Sequence, residues 1–282
     1  MAGRGLTLDN TGNLVIYNGT VMRSEDFAFP DTYAYNVVYE VVRVIDGVPL
    51  FVEEHYQRLR RSLKIIGMEP KISEEGMKTE IKRLAGMNQK PACNVRICFY
   101  CESGAQDILF YIRKSRYPSR DDVEKGVRTG LIKWERKLPN LKLEDLDYKD
   151  AVERKMREGG YYEVLLANRD NKITEGSKTN VFFVKGSKVF TAPDEYVLKG
   201  VTRKYAIDIC KALGVELIET LIGVELLPDM EGVFLSGTSI KILPVAAIDE
   251  HSFDSGTHPL IAGIRQQFDR LVLEYIEKNR DR

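Results

Sequence analysis

The residues best suited to chemistry lie between positions 171 and 206, where a carboxylate, a glycine and a hydroxyl group follow in close succession. Glu175 is in the run ITEGSKTN on a predicted strand, and Gly176 after it permits a bend or a close approach. Gly200-Val201-Thr202 stands near the predicted start of a helix, where unpaired N–H groups and the helix dipole can bind phosphate. Together they would suit a cofactor that is cationic at one end and anionic at the other. The ordinary alternatives are a solvated turn glutamate and an N-cap at Thr202.

Polar residues at three further places could either take part in chemistry or have an ordinary structural role. The run SGTS at 236–239 follows an apolar strand, and its hydroxyls could complete a phosphate site or only form a turn. Lys142 lies at an element boundary rather than in a helical charge pattern, although composition does not separate it from the other lysines. Arg58 precedes the apolar Leu59 at the edge of a predicted buried helix face. It could bind phosphate through two N–H groups or face solvent.

The composition predicts an ordinary soluble globular protein. The 282 residues are 43% hydrophobic and 30% charged, enough for two modest domains. The formal net charge is zero, with 42 basic and 42 acidic residues, which argues against nucleic acid as the main partner. No apolar run reaches the roughly 18 residues of a membrane span, and MAGRGLTLDNTG lacks the apolar core of a signal peptide. We therefore expect a cytoplasmic protein with no membrane partner.

The cysteines form one short motif that could be read as a metal or redox site. Cys98 and Cys101 make a CxxC, but the run ICFYC is apolar and strand-like, and no second ligand pair follows. We expect no metal site and predict that these two residues, with Cys93 and Cys210, are buried free thiols in a reducing compartment.

The elements that must position these residues fall into two halves. The first, residues 1–117, is predicted to be a small α+β domain, and the polar run 114–122 containing Pro118 is its linker. Its predicted strands are 13–22 (a hairpin), 37–45 and a partner after Asp46-Gly47, 94–101 and 107–113, and its helices are 53–67 and 73–87.

The second half, residues 118–282, is predicted to be the larger, β-rich α/β domain. Its predicted strands are 127–134, 162–168, 173–184 with a glycine break, a short strand after the turn 185–188, 215–219 and 232–235, and its helices are 145–158, 203–213 and 261–278.

Several ordered motifs give the chain a resemblance that no single one would justify. They are YEVVRV from Tyr39, EHYQRLRRSLK from Glu54, YYEVLLANRDNKITEGSKTNVFFVKGSKVFTAP from Tyr161, LKGVTR from Leu198 and FLSGTSIKILPV from Phe234. Across about residues 13–276 the chain resembles the class IV aminotransferases, pyridoxal 5'-phosphate (PLP) enzymes of fold type IV. That group includes branched-chain amino acid aminotransferase, D-amino acid aminotransferase and 4-amino-4-deoxychorismate lyase. The resemblance implies a two-domain α+β fold of that type.

The resemblance also implies roles for individual residues. Counting back 21 positions from Glu163, in a G-x-x-E motif, assigns Lys142 as the Schiff-base lysine. Glu175 matches the carboxylate that pairs with the pyridine nitrogen, so that the ring can accept electrons. The remaining cofactor-binding positions implied are Arg58, Val201, Thr202 and Thr238 for the phosphate. A released Lys142 amine could then move the substrate's α-proton in a transamination.

The implied substrate contacts are less complete. Thr238 and Ser239 match a loop that contacts phosphate and substrate carboxylate, and Tyr39 matches an active-site aromatic position. Alternation along the strand puts Tyr39 and Arg43 on one face, so Arg43 is a hypothetical carboxylate contact, with Arg96 a weaker candidate.

Three departures from the family pattern leave substrate and stereochemistry open. Tyr35-Asn36 stand where relatives commonly have Gly-Asp, shortly before the Tyr39 motif. The segment after Lys142 reads Leu143-Glu144-Asp145 where many members have small polar residues, and the Arg-x-His of D-amino acid aminotransferases is missing.

The predicted activity is amino-group transfer between an amino acid, branched-chain or otherwise apolar, and a 2-oxo acid. The alternatives are a lyase of the aminodeoxychorismate type that releases pyruvate, and a non-catalytic PLP-binding homologue. The resemblance further implies a homodimer.

Overall fold

The computed structural model describes residues 9–28, 36–102 and 104–280. It divides the chain into two compact units. The first comprises Met1–Arg116, Leu141–Glu144 and Val272–Arg282, and the second comprises Tyr117–Asn140 and Asp145–Leu271.

The first unit is a six-stranded antiparallel sheet with two helices on one face. The strands are β1 Leu14–Tyr17, β2 Thr20–Arg23, β3 Asn36–Ile45, β4 Val48–Pro49, β5 Cys93–Glu102 and β6 Ala105–Arg113, in the order β2-β1-β6-β5-β3-β4. The helices are α1 Val52–Ile65 and α2 Glu74–Met87. Asp46 and Gly47 both have positive φ, which suits the tight turn joining β3 to β4. Ser73 caps α2, as predicted, by accepting from the Gly76 N–H at 3.1 Å.

Strand alternation gives this sheet two different faces. Val38, Val42 and Val44 of β3 belong to the core that includes residues of α1 and α2. The opposite face carries a second cluster, with Val37 and, at its edge, Tyr39. Consequently the side chains of β3 alternate between an apolar helix-facing layer and a face rich in aromatic groups.

The segment that contains Lys142 belongs to this first unit. Leu143 forms an antiparallel bridge with Val38, and the Tyr39 N–H donates to the Lys142 carbonyl at 3.0 Å. The Glu144 N–H donates to the Val37 carbonyl, also at 3.0 Å. Near the C-terminus, Tyr275 packs its ring 4.8 Å from that of Phe51. These pairings explain why 141–144 and 272–282 depart from the contiguous second domain expected from sequence.

The second unit is built on a larger sheet. Its strands are β7 Val127–Lys133, β8 Glu163–Ala167, β9 Lys172–Gly176, β10 Asn180–Lys185, β11 Lys188–Thr191, β12 Glu216–Glu219, β13 Ile222–Gly223, β14 Gly232–Gly237, β15 Lys241–Ile248 and β16 His251–Ser252. The order is β12-β11-β10-β14-β15-β7-β8-β9-β13, with β16 paired to β15. The helices are α3 Arg120–Lys125, α4 Leu146–Gly159, α5 Val201–Ala212 and the first part of α6 Pro259–Asn279, whose residues from Val272 onwards belong to the first unit.

Three local predictions were wrong in this unit. The single strand predicted over 173–184 is two strands, because the Gly176 N–H donates to the Thr179 carbonyl at 2.8 Å and turns the chain. The strand β15 was missed, since Pro244 within it argues against a central strand. The predicted linker ends early, because Ser119 and Asp122 form a capping box that starts α3.

The prediction that all four cysteines are buried free thiols is confirmed. Cys98 and Cys101 lie on opposite faces of β5, because an odd spacing on a strand separates their side chains. Among the described residues no group of three or more His, Cys, Asp or Glu could hold a metal ion. Within the same residues, no helix combines the length and apolar character needed to cross a membrane.

Candidate active site

Lys142 is half-buried beside the aromatic face of the first sheet. Its backbone is fixed by the bond from Tyr39 and by donation from its own N–H to the Ser62 hydroxyl at 3.4 Å. Its Nζ lies 4.7 Å from the centroid of the Tyr39 ring. This cation–π contact holds the amine at a defined place on the sheet rather than in solvent.

Arg58 is anchored on the helix-facing side of the same sheet. It is only 5% exposed, so it does not face solvent as the ordinary interpretation expected. Its Nε and Nη2 donate to the two carboxylate oxygens of Glu40 at 2.8 and 2.7 Å. Glu40 is fully buried on β3 and also bonds Nδ1 of His55 at 2.8 Å. The two N–H groups of Nε and Nη2 therefore bind Glu40 instead of a phosphate, and a phosphate could contact only the remaining N–H groups of the guanidinium.

Electrostatics keep this buried trio in one charge state. Burial alone would raise the pKa of Glu40, but the charge and hydrogen bonds of Arg58 and His55 outweigh it and hold that pKa well below its usual range. Burial lowers the pKa of His55, Glu40 opposes this, and the charges of Arg58 and Lys142 lower it further. The trio thus consists of a carboxylate, a guanidinium and a neutral imidazole.

Removing the carboxylate should strongly destabilise the protein. Glu40→Ala would leave Arg58 charged and buried without its partner, and we expect a loss of about 3–5 kcal/mol in the free energy of unfolding. Glu69→Ala is the matched control, because it removes the exposed partner of Arg60, also on α1, and should cost less than about 1 kcal/mol. Urea unfolding measures both. Equal losses would show that Glu40 and Arg58 do not form a buried pair.

Acid should destabilise the wild-type protein in two steps. In the unfolded chain His55 takes up a proton near pH 6.5, whereas in the folded chain its pKa is lower. The free energy of unfolding therefore falls as the pH drops below that value. Because the pKa of Glu40 is held below its ordinary 4.5, a second loss begins below about that pH. Each group contributes up to about 1.4 kcal/mol per pH unit. The midpoint of urea unfolding, measured between pH 8 and 4, should show the first step in the wild-type protein and not in His55→Gln. If the step persists in this variant, a group other than His55 causes it.

The aromatic face carries the predicted substrate residues. Arg96 is 6% exposed, its guanidinium carbon lies 4.0 Å from the Tyr39 ring centroid, and it is ion-paired with Glu144. Arg43 is half-buried on the same face as Tyr39 but four residues further along β3, about 13 Å of strand. These contacts favour Arg96 over Arg43 as the cation beside Tyr39 and Lys142, the reverse of the expected ranking.

In the second unit, Glu175 is a buried carboxylate one residue before the end of strand β9. It is 2% exposed, and its Oε2 accepts from the Leu198 N–H at 3.0 Å and from Asn180 Nδ2 at 3.5 Å. Its Oε1 accepts from Arg136 at 3.2 Å. This is not the solvated turn glutamate of the ordinary interpretation, because the donors around it hold both oxygens in place.

The start of helix α5 meets the requirements of an anion site. The helix begins at Val201 with Gly200 as N-cap, so the predicted cap at Thr202 was wrong and Thr202 lies inside the first turn. Val201 and Thr202 are both 5% exposed. Gly200 has no side-chain oxygen to satisfy the first N–H groups, which leaves the helix dipole available to an anion.

Gly200 is required at this position by its neighbour. A Cβ built on it would lie 2.1 Å from Oδ1 of Asn180, whose Nδ2 donates to the Leu198 carbonyl at 2.9 Å. Gly200→Ala should displace Asn180 and weaken the PLP binding implied by the family resemblance about tenfold or more, measured by spectroscopic titration. Gly86→Ala is the control, because a Cβ there meets nothing within 4 Å inside α2. Unchanged affinity in Gly200→Ala would contradict this role.

The second predicted phosphate segment, residues 236–239, contains one buried hydroxyl without a hydrogen-bond partner among the residues that the structure describes, and a second such hydroxyl is that of Thr179. Thr238 and Ser239 are half-buried in the turn between β14 and β15. In the described part of the chain, the buried Ser236 Oγ and Thr179 Oγ1 have no hydrogen-bond partner. Ser236 pairs with Asn180 across β14 and β10. Because buried hydroxyls usually find partners, these two suit an additional acceptor such as a phosphate oxygen.

The donor types match what PLP requires. The first unit offers an amine, Lys142, and the second offers a carboxylate, Glu175, an uncapped helix start and two buried hydroxyls without partners. A pyridine nitrogen needs the carboxylate, a phosphate needs the helix start and hydroxyls, and an aldehyde needs the amine.

Sequence comparison identifies the family. The family model for class IV amino-transferases matches residues 37–248. D-alanine aminotransferase of Bacillus licheniformis is 25% identical, over 94% of this chain and 99% of its own. A probable branched-chain-amino-acid aminotransferase of Thermotoga maritima is 28% identical, over 94% of this chain and 98% of its own.

Comparison with solved structures agrees with the family found from sequence. The crystal structure of Escherichia coli branched-chain amino acid aminotransferase has a TM-score of 0.82 at 25% identity, covering 93% of this chain and 95% of that one. The fold and the donor set define a PLP-dependent enzyme of fold type IV. The chain belongs to the class IV aminotransferase family and is a PLP-dependent aminotransferase. Since these relatives are named as transferases, the lyase and non-catalytic alternatives are not favoured.

Several residues around the site escaped the sequence analysis. Glu40 left a signal, because a charged residue in an otherwise apolar, helix-facing register of β3 must find a partner. Arg136 and Asn180 left none, since their contacts with Glu175 join separate elements of the second unit. Tyr148 is similar: its hydroxyl donates to the Ser177 carbonyl at 3.1 Å, and Arg136 lies over its ring.

Proposed function

We propose that this aminotransferase moves the amino group between a branched-chain or other apolar amino acid and a 2-oxo acid such as 2-oxoglutarate. The observation that carries the proposal is the amine of Lys142 held on the Tyr39 ring, in a chain whose residues 37–248 match the family model. The names of the relatives from Thermotoga maritima and Escherichia coli support the branched-chain preference, while that from Bacillus licheniformis names D-alanine.

The proposed residue roles follow from the chemistry of each group. When bound, PLP supplies an electron sink for the charge left after loss of the substrate's α-proton. Lys142 Nζ holds the cofactor covalently and, once released, takes and returns that proton. Glu175 keeps a proton on the ring nitrogen, and Arg136 and the Leu198 N–H fix its carboxylate. The proposed phosphate contacts are Arg58, the N–H groups of Val201 and Thr202, and Thr238.

The proposed substrate contacts are Tyr39, Arg96, Arg43, Thr238 and Ser239. Arg96 supplies the carboxylate contact best, because it is charged, buried and on the same ring as the Lys142 amine. Burial alone would lower the pKa of Arg96, but the acidic groups around it, Glu144 among them, raise it well above its ordinary value. The guanidinium therefore stays charged at every working pH.

A half-reaction assay tests this function. PLP-loaded protein should convert to its pyridoxamine form on addition of L-leucine, L-valine or L-isoleucine and release the matching 2-oxo acid, and 2-oxoglutarate should reverse the change. D-alanine in the same panel tests the other named specificity. Conversion by D-alanine alone would overturn the branched-chain preference, and no conversion by any amino acid would overturn the proposed function.

Two further expectations belong with this proposal. The family resemblance favours a homodimer, and the cytoplasm is the proposed location. The balanced charge, 42 basic and 42 acidic residues, favours no nucleic-acid partner. Sedimentation at working concentration should give about twice the 32.2 kDa of one chain. A monomer would contradict the dimer without affecting the chemistry.

A further inference from the structure

Arg96 is paired with a carboxylate of its own chain and still has capacity for another acceptor. It is 6% exposed on β5, and its Nη2 is ion-paired with Glu144. The side chains of both partners are nearly buried, at 7% and 10% exposure. Within the described residues, the buried Arg96 Nε has no hydrogen-bond partner. A buried guanidinium with an unused N–H group is suited to a further acceptor, and a carboxylate fits its planar fork best.

This pair lies beside the amine that carries the chemistry. The guanidinium of Arg96 and the Nζ of Lys142 contact the same Tyr39 ring, at 4.0 and 4.7 Å from its centroid. A substrate whose α-carbon reacts at Lys142 must place its carboxylate within a few bonds of that carbon. Arg96 is therefore placed to receive the carboxylate, and Glu144 already occupies the same guanidinium.

The backbone explains why Glu144 reaches Arg96. Residues 141–144 are extended and bound to β3 through Tyr39 and Val37. Leu141 and Leu143 contact the helix-facing core, so by alternation Lys142 and Glu144 project to the other side. The carboxylate is thus held on the same side as the reactive amine by the segment that carries both.

We propose that Glu144 is a specificity-determining residue that competes with the substrate's carboxylate for Arg96. In the ligand-free enzyme it satisfies the guanidinium, and an incoming carboxylate binds Arg96 only by displacing it. Carboxylate ligands therefore bind more weakly than Arg96 alone would allow. This inference rests on the proposed function, because it takes the displacing group to be the carboxylate of an amino acid or 2-oxo acid.

Calorimetric binding of glutarate, an unreactive dicarboxylate, to the PLP-loaded protein tests the competition. Glu144→Gln keeps the shape of the side chain but removes its charge, and we expect glutarate to bind about tenfold more tightly. Asp147→Asn is the matched control, since it removes an exposed carboxylate three residues further along the chain and should leave the affinity unchanged. Arg96→Gln should bind glutarate at least about tenfold more weakly than wild type.

The double variant Glu144→Gln/Arg96→Gln separates competition from a general change in charge. Competition predicts that Glu144→Gln has no effect when Arg96 is absent, whereas an equal gain in that background would overturn the proposal. Unchanged or weaker binding in Glu144→Gln, with its thermal unfolding midpoint preserved, would also overturn it. If Glu144→Gln does not fold, Glu144→Asp retains the charge with a shorter reach; its affinity should exceed that of wild type, and no gain would overturn the proposal.

These outcomes differ from failure of the proposed function. Glutarate competition measured without turnover can hold in a protein that transfers no amino group, and the function alone would then fail. Amino transfer with glutarate affinity insensitive to Glu144 would refute only the competition.

Discussion

Lys142→Ala is expected to abolish amino-group transfer, with a fall in rate of roughly 10⁴-fold or more, because the variant would lose the amine that we propose holds PLP covalently and moves the α-proton. Stopped-flow spectroscopy of the half-reaction with L-leucine measures the fall. The fold should be unaffected, since Lys142 is half-buried and its backbone hydrogen bonds to Tyr39 and Ser62 do not need its side chain.

Two comparisons make the Lys142 result specific. Lys137→Ala removes an exposed lysine five positions earlier and should retain wild-type rates. Added methylamine should restore part of the rate of Lys142→Ala by supplying the missing base. A Lys142→Ala variant that reacts within tenfold of wild type would rule out this lysine as the proton carrier.

Glu175→Gln is expected to lower the rate by about 10²–10³-fold, the size found when one preorganised group is removed from developing charge. An amide keeps the shape of the side chain but does not hold a proton on the ring nitrogen, so the electron sink is weakened. PLP should remain bound, because the proposed phosphate contacts are unchanged. Single-turnover rates and the absorption spectrum measure the two effects separately.

The partners of Glu175 provide the control for this variant. Arg136→Met keeps the carboxylate and removes one of its donors, so its rate should lie between those of wild type and Glu175→Gln. A Glu175→Gln variant with wild-type rates would show that the carboxylate does not face the ring nitrogen. Loss of PLP binding instead of rate would assign Glu175 a purely structural role.

The sequence was informative wherever periodicity decides structure. The alternation of β3 and the apolar spacing along α1 predicted elements that the structure contains, with ends shifted by one or two residues. Local pattern is enough for these elements because each depends on neighbours in sequence. The assignment of Lys142 came from the family resemblance and stays a prediction; in the structure its amine lies beside the Tyr39 ring.

Sequence analysis missed contacts between residues that are distant in the chain. The segment 141–144 groups with the first unit because of pairing with β3, about a hundred positions earlier, which no local pattern reveals. The phosphate contact of Arg58 stays a prediction, but the sequence did not show that two of its N–H groups bind Glu40, a residue of a different element. The Glu144 contact with Arg96 likewise joins residues 48 positions apart. Periodicity indicates that a buried charge such as Glu40 needs a partner, but it does not identify the distant residue that supplies it.

Reduction with borohydride followed by peptide mapping tests the central claim most directly. Borohydride fixes PLP on the nitrogen that bears it, and mass spectrometry then reports the modified residue. We predict a yellow protein, loss of the visible band on reduction, and a phosphopyridoxyl group on Lys142 alone. Modification of a different lysine, or a colourless protein that PLP does not reconstitute, would contradict the account.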